Sequence, residues 1–194
     1  PVPFLSEMTT HDFDIAIVGG GPAGLSTALF LRAKHPTLRV AVLEKKKYPR
    51  DKICAGAVGR RADRALATIG VHVDVPSVPV YGMSIASQQS VLVARRDEPI
   101  GRVVRRIEFD AALAKHVDAS GAQLLQDTGV TSIARDARGL TLETTQGKFT
   151  CRALVGADGV GSFVRKWLGL GRGEYYAQAV EVDLFPKNTP LRPG

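Results

Sequence analysis

Asp14-Ile15-Ala16-Ile17-Val18-Gly19-Gly20-Gly21-Pro22-Ala23-Gly24 is the stretch on which the fold turns. A short β-branched run, apolar at successive positions, predicts a strand buried on both faces, as in a parallel sheet. Pro22 then stands where a first helical residue belongs, its fixed φ suited to that place. The glycines fall as Gly19-x-Gly21-x-x-Gly24. Gly19 permits a tight strand-to-helix turn, and Gly21, lacking a Cβ, lets a diphosphate approach the backbone. Gly24 allows close packing of helix on strand, and the free N–H groups at the helix start bind phosphate. The helix runs to His35-Pro36, and residues 39–44 form the next strand. This is a β-α-β unit of about 30 residues. Glu44 closes the second strand, where a carboxylate accepts hydrogen bonds from ribose hydroxyls. Together these features predict an adenine dinucleotide site. The same carboxylate repels a 2′-phosphate and so disfavours NADP there. Lys45 to Lys47 read as a solvated loop face.

Outward from this unit, residues 45–60 read as a loop and 61–69 as a helix stopped by Gly70. Between Val71 and Val104 the pattern changes. Pro76 and Pro79 punctuate alternating runs at 80–86 and 90–94, which predict antiparallel strands in a second, smaller layer. Residues 109–120 predict a strong helix: Phe109, Leu113, His116 and Val117 share a face, acids sit early, and Gly121 caps the end. Alternating runs at 130–134, 140–144 and 148–151 predict a three-stranded meander. Residues 153–157 predict a further buried strand, 162–168 a short helix, and 176–185 the first strand of another unit.

The chain has 194 residues, 44% hydrophobic and 23% charged, so one globular domain, or one large domain with a small appendage, is expected rather than disorder. No apolar run approaches the ~20 residues of a spanning helix. Cys54 and Cys151 are too few for a disulfide scaffold or a cysteine-rich zinc site. The four His residues show no metal-ligand spacing, so no metal site is predicted. No signal peptide is visible, and a reducing cytoplasm is the simplest compartment. The net charge of +7 suits a solvated surface, or attraction to dinucleotide phosphates or an anionic membrane. Nucleic acid is disfavoured, because no recognition motif accompanies the charge.

A second motif is Gly156-Ala157-Asp158-Gly159-Val160-Gly161-Ser162-Phe163-Val164-Arg165. On the residues alone two readings stay open: a carboxylate aimed into the crevice at the strand ends, or a turn Asp beside a capping Ser. Residues 14–44 together with Gly156-Ala157-Asp158-Gly159-x-x-Ser162-x-x-Arg165 resemble the FAD-binding domain of flavoprotein monooxygenases related to p-hydroxybenzoate hydroxylase. That resemblance implies that Asp158 and Gly159 lie near the FAD diphosphate.

Tyr48-Pro49-Arg50-Asp51-Lys52-Ile53-Cys54-Ala55-Gly56 resembles the Pro-Arg-x-Lys-x-Cys-x-Gly segment of geranylgeranyl reductase family proteins, and Arg106-Ile107-Glu108-Phe109-Asp110 is similar to their Arg-x-x-Phe-Asp. The resemblance implies an α/β fold: a Rossmann-like FAD-binding domain with a parallel sheet and a meander, followed by the beginning of an antiparallel substrate domain. It places residues 11–75 and 102–172 in the FAD-binding domain, and 76–101 and 173–194 in the substrate domain. The implied cofactor contacts are Gly19, Gly21, Pro22, Ala23, Gly24, Glu44, Lys45, Lys52, Cys54, Ala55, Gly56, Arg106, Val130, Asp158 and Gly159. Arg106 and Lys52 are expected beside the diphosphate and ribityl chain, and Cys54 beside the flavin ring. Cys151 is expected to be structural.

The implied activity is FAD-dependent reduction of double bonds in a prenyl or other hydrophobic substrate. NAD(P)H or another reductant would be the electron donor, and peripheral membrane contact is an option. A flavin-dependent aromatic monooxygenase or halogenase is the alternative, although Trp167 is the only Trp and no Trp-x-Trp signature exists. The family's second FAD fingerprint, a Gly-Asp followed by small residues, is absent, as is most of the substrate domain. The chain therefore reads as an N-terminal fragment or truncated product, and a catalytically silent nucleotide-binding fragment is the rival from another class.

Overall fold

The computed structural model describes residues 11–175 and 177–181. The chain begins with β1 (Phe13–Val18), α1 (Pro22–Lys34) and β2 (Val40–Leu43), the predicted β-α-β unit. There follow β3 (Ala57–Gly59), α2 (Arg60–Ala67), β4 (Ser77–Val80), β5 (Gly82–Ala86), β6 (Val91–Arg95) and β7 (Gly101–Val104). The last part holds α3 (Arg106–Ala119), β8 (Gln123–Leu125), β9 (Val130–Arg135), β10 (Leu140–Thr144), β11 (Gly147–Gly156) and α4 (Phe163–Trp167).

Six strands form one mixed sheet in the order β8-β2-β1-β11-β10-β9. β8, β2, β1 and the second half of β11 run parallel; β10 is antiparallel to both β11 and β9. Alternate residues of the two central strands feed two separate cores. Ile17, Val40 and Val42 pack with Leu25 and Leu29 of α1 and with Leu113 and Val117 of α3. Ala16, Val18, Ala41 and Leu43 pack instead with Ile133, Leu142, Cys151 and Val164. Both faces of β2 are buried along its whole length, as a central parallel strand requires. Cys151 lies in the second core, where burial pushes its thiol pKa up.

The predicted meander and the predicted strand at 153–157 are one element. β11 runs unbroken through Arg152, pairing Cys151 with Leu140 on one side and with Phe13 on the other. The sequence pattern changes there because the strand leaves a one-sided antiparallel setting and enters the parallel centre. The run expected at 80–86 is divided between two sheets: β4 joins β3 and β7, while β5 pairs with β6. The break falls at Tyr81, just before Gly82, where a Cβ would collide with the Ala94 carbonyl. β3, β7 and β8, of three or four residues each, carry too little pattern to predict. α3 starts at Arg106, three positions before the expected Phe109. Of the strand expected at 176–185, residues 177–181 have no strand structure, and 176 and 182–185 lie outside the described residues.

Candidate functional site: a cleft at the carboxyl ends of the parallel strands

The turn between β1 and α1 is shaped by what surrounds each glycine. Gly19 has φ +105, and a Cβ there would collide with the backbone of Ala157, where β11 ends. At Gly24 a Cβ would collide with the Gly19 carbonyl. At Gly20 it would collide with the Tyr48 hydroxyl and come within 2.8 Å of Glu44 Cβ. Gly21 differs: its backbone is extended (φ −80, ψ 179), and the nearest atom to its missing Cβ is Arg106 Nη2 at 4.0 Å. Three of these glycines are therefore required by the fold, while Gly21 leaves open space beside a guanidinium. α1 has no side-chain cap at Gly21 and has Pro22 in its first turn. Its leading N–H groups, those of Ala23 and Gly24, have no preceding carbonyl in the helix to accept them.

Glu44, at the end of β2, is 6% exposed. Its Oε2 accepts the Gly20 N–H at 2.8 Å and its Oε1 accepts the Lys46 N–H at 3.1 Å. An ionised carboxylate has about four acceptor positions; with a contact from Arg50 to Oε2 capacity remains for one more, and Glu44 lines a cleft at this site.

Sequence reasoning missed the group that joins Glu44 to Arg106. Arg50 is buried, and its Nη2 donates to the Gly20 carbonyl at 2.8 Å and to Glu44 Oε2 at 3.3 Å. Its Nη1 lies 3.1 Å from Asp110 Oδ2. Asp110, 0% exposed, also receives Arg106 through a two-pronged contact, Nε to Oδ1 at 2.7 Å and Nη2 to Oδ2 at 2.8 Å. Asp110 holds the Arg106 pKa above the ordinary arginine value. Tyr48 donates its hydroxyl to the Gly20 carbonyl, and burial pushes its pKa up. The available signals were Arg50 inside Pro-Arg-x-Lys and the Arg106/Asp110 spacing of one helical turn; their joining across the fold had none.

Two clefts open here. The first, of about 500 Å³, is lined among others by Gly19, Gly21, Glu44, Lys45, Lys52, Val130, Asp158 and Gly159. The second, of about 570 Å³, is lined by Lys52, Cys54, Ala55, Arg106, Val78 and Val103 among others. Asp51 and Lys52 line both. Most residues expected from sequence are thus brought to one region. Pro22 and Ala23 stand at the start of α1. Gly24 and Gly56 face the protein: a Cβ on Gly56 would collide with the Val104 carbonyl. The Cys54 thiol stands beside the Arg106 guanidinium.

For Asp158 the geometry supplies the capping contacts of the second open reading. Its Oδ2 accepts the N–H groups of Phe163 and Val164, and its Oδ1 accepts the Ser162 hydroxyl. Ser162 in turn accepts the Arg165 N–H at 2.9 Å. Asp158 still forms part of the first cleft's wall, at the end of a strand that lies against Gly19.

A dinucleotide fits this donor set. Space is open at Gly21, a cation flanks it, and Arg50, which lines the first cleft, has its Nε buried with no partner among the described residues. The comparisons with known proteins agree. The sequence matches the FAD binding domain family over residues 12–192. It is 28% identical to a digeranylgeranylglycerophospholipid reductase of Methanosarcina mazei, covering 81% of this chain and 40% of that protein. It is 30% identical to a rifampicin monooxygenase of Streptomyces venezuelae, covering 81% and 34% respectively. The structure of an anhydrotetracycline hydroxylase from Streptomyces rimosus superposes with a TM-score of 0.65 at 31% identity, over 81% of this chain and 34% of that one. The chain thus spans less than half the length of these relatives. The glycine turn, the acid at the end of β2 and the match along nearly the whole chain lead to one conclusion: this chain belongs to the FAD binding domain family, and FAD is its cofactor.

Proposed function

We propose that the chain is the FAD-binding part of an oxidoreductase that reduces double bonds in a prenyl or other hydrophobic substrate. The observation that carries this reading is the loop 49–56. It has the Pro-Arg-x-Lys-x-Cys-x-Gly pattern of the reductases and runs along both clefts, with Lys52 common to the two and Cys54 and Ala55 in the second. The likeness to the Methanosarcina mazei reductase supports it. Bound FAD supplies the redox chemistry, and the protein's share is to bind it, orient it and exclude side reactions.

In this reading the N–H groups at the start of α1 and the Arg106 guanidinium hold the diphosphate, and Glu44 accepts the ribose hydroxyls. Lys45 and Val130 wall the first cleft around the adenosine end, and Asp158 and Gly159 wall it near the diphosphate. Lys52 stands beside the diphosphate and ribityl chain, and Cys54 and Ala55 stand beside the flavin ring. Residues 76–101 and 173–194 belong to the substrate-binding part. The exposed apolar side chains of Met83, Ile85, Val91 and Leu92 suit a hydrophobic or lipid substrate met by peripheral contact with a membrane. No helix among the described residues is long and apolar enough to cross one.

A second reading, flavin-dependent hydroxylation of an aromatic substrate, has the rifampicin monooxygenase likeness in its favour. The chain, and any longer product carrying it, is loaded with FAD and offered a prenyl lipid or phenolic compounds with a reductant. Reduction of the lipid double bond supports the reductase. Oxygen uptake with substrate-stimulated peroxide formation on phenols alone overturns it in favour of the hydroxylase. Failure to acquire the flavin visible bands would favour a catalytically silent fragment.

A further inference from the structure

We propose that Asp110 is the positioning residue of the diphosphate site: it fixes the Arg106 guanidinium over Gly21 and, through Arg50, couples that cation to the Glu44 carboxylate. The inference rests on the reading that the first cleft takes FAD, and it concerns a residue that lines neither cleft.

Asp110 is wholly buried, and a charge is kept in such a place only when it is paired and hydrogen-bonded. Both its oxygens are engaged. Oδ1 takes Arg106 Nε; Oδ2 takes Arg106 Nη2 and lies 3.1 Å from Arg50 Nη1. The fork contact fixes the plane of the Arg106 guanidinium as well as its distance. Of the five N–H groups of an arginine, it occupies the one on Nε and one on Nη2. Those left over belong to the side of the guanidinium away from Asp110. Nη2 lies 4.0 Å from the point where a Gly21 side chain would begin. That point is the open space where the turn admits a phosphate.

The four charges alternate in sign from Glu44 through Arg50 and Asp110 to Arg106. Their sum is zero, so the network brings a cation to an anion site without a net buried charge. Exposure rises only at the last member: the side chain of Asp110 is 0% exposed and that of Arg106 15%. An arginine already immobilised when the protein folds does not lose its rotamer freedom again when the ligand arrives, which is the usual gain from preorganisation. Asp110 thus acts on the diphosphate through Arg106, without touching it.

The test is calorimetric titration of the 194-residue chain with ADP and, separately, with adenosine. Asp110→Asn preserves shape and removes the charge that holds the fork. The expected result is about a tenfold or greater loss of ADP affinity with a clearly smaller loss for adenosine, which the Asp110 charge reaches only through Arg50 and Glu44. Arg106→Lys, which keeps the charge but cannot make the fork, is expected to show the same selective loss. It also carries the test if Asp110→Asn does not fold. In an Arg106→Gln background Asp110→Asn is expected to have no further effect on the ADP-to-adenosine ratio. An equal loss for both ligands would assign Asp110 to general stability and overturn the proposal, as would an unchanged ratio in either single variant. If the unaltered chain binds neither ADP nor FAD, the dinucleotide reading itself falls, and the positioning role with it.

Discussion

Gly21→Ala separates the binding role of the turn from its structural role. The Gly21 backbone lies at φ −80 and ψ 179, which any L residue adopts, so the substitution introduces no backbone strain. The new Cβ would meet nothing closer than Arg106 Nη2 at 4.0 Å, an ordinary separation. Two small effects on stability oppose each other. Replacing Gly stiffens the unfolded chain, a gain of about 0.4–1 kcal/mol, whereas Ala is the poorer residue at a helix N-cap, a loss of up to roughly 1 kcal/mol. The Tm should therefore stay within a few degrees of the unaltered protein. Binding should not survive as well. The methyl group would stand where the diphosphate meets the N–H groups of α1, weakening charge-assisted hydrogen bonds worth roughly 1.5–3 kcal/mol each. Loss of one such bond is a tenfold to hundredfold rise in the Kd for FAD; Gly21→Val, larger still, should abolish binding. Melting followed by circular dichroism and titration by flavin fluorescence read the two quantities separately. A normal Kd in Gly21→Ala would refute the placement of the diphosphate. So would a collapse in Tm, which is the behaviour expected of Gly24→Ala, whose Cβ collides with the Gly19 carbonyl.

Three further outcomes follow from the same geometry. Glu44→Ala should weaken FAD binding by roughly 1.5–3 kcal/mol; an unchanged Kd would mean that the carboxylate serves only Gly20, Arg50 and Lys46. Asp158→Ala removes the acceptor from the first turn of α4 and should lower stability to urea by about 1 kcal/mol, the usual worth of a cap; unaltered stability with poor FAD affinity would make it a ligand residue instead. The Asp14 carboxyl is held below its ordinary pKa of 3.8, first by the Arg39 backbone N–H. A lowered folded pKa means its contribution is present above the unfolded value and lost as pH falls through the folded one. The stability gap between the protein and Asp14→Asn should be constant above about pH 5 and close progressively below pH 3.8; a gap that persisted into strong acid would contradict this.

The turn from Val18 to Gly24 was legible because its information is local: strand, glycines and Pro22 are contiguous, and each excludes alternatives by itself. Glu44 was legible in position but not in its protein contacts, because the Gly20 N–H and Arg50 that engage it become visible only once the chain is folded. Arg50 and Asp110 lie far apart in sequence and meet only when the loop after β2 reaches α3. A buried ion pair of that kind leaves no periodicity; Asp110 on a helix otherwise packed by Phe109, Leu113 and Val117 was the one visible irregularity. β11 was divided in two because hydrophobic pattern reports burial, and burial changes along that strand while its pairing continues. Asp158 shows the opposite case: its contacts are all within six residues, yet a turn acid and a ligand acid look alike until the N–H groups of Phe163 and Val164 are located.

The most direct measurement is a structure of the chain with FAD bound. The diphosphate should lie against the leading N–H groups of α1, over Gly21 and within hydrogen-bonding reach of Arg106, with a ribose hydroxyl on Glu44. A dinucleotide held elsewhere, or a turn at Gly19–Gly24 closed by side chains with FAD present, would contradict the account.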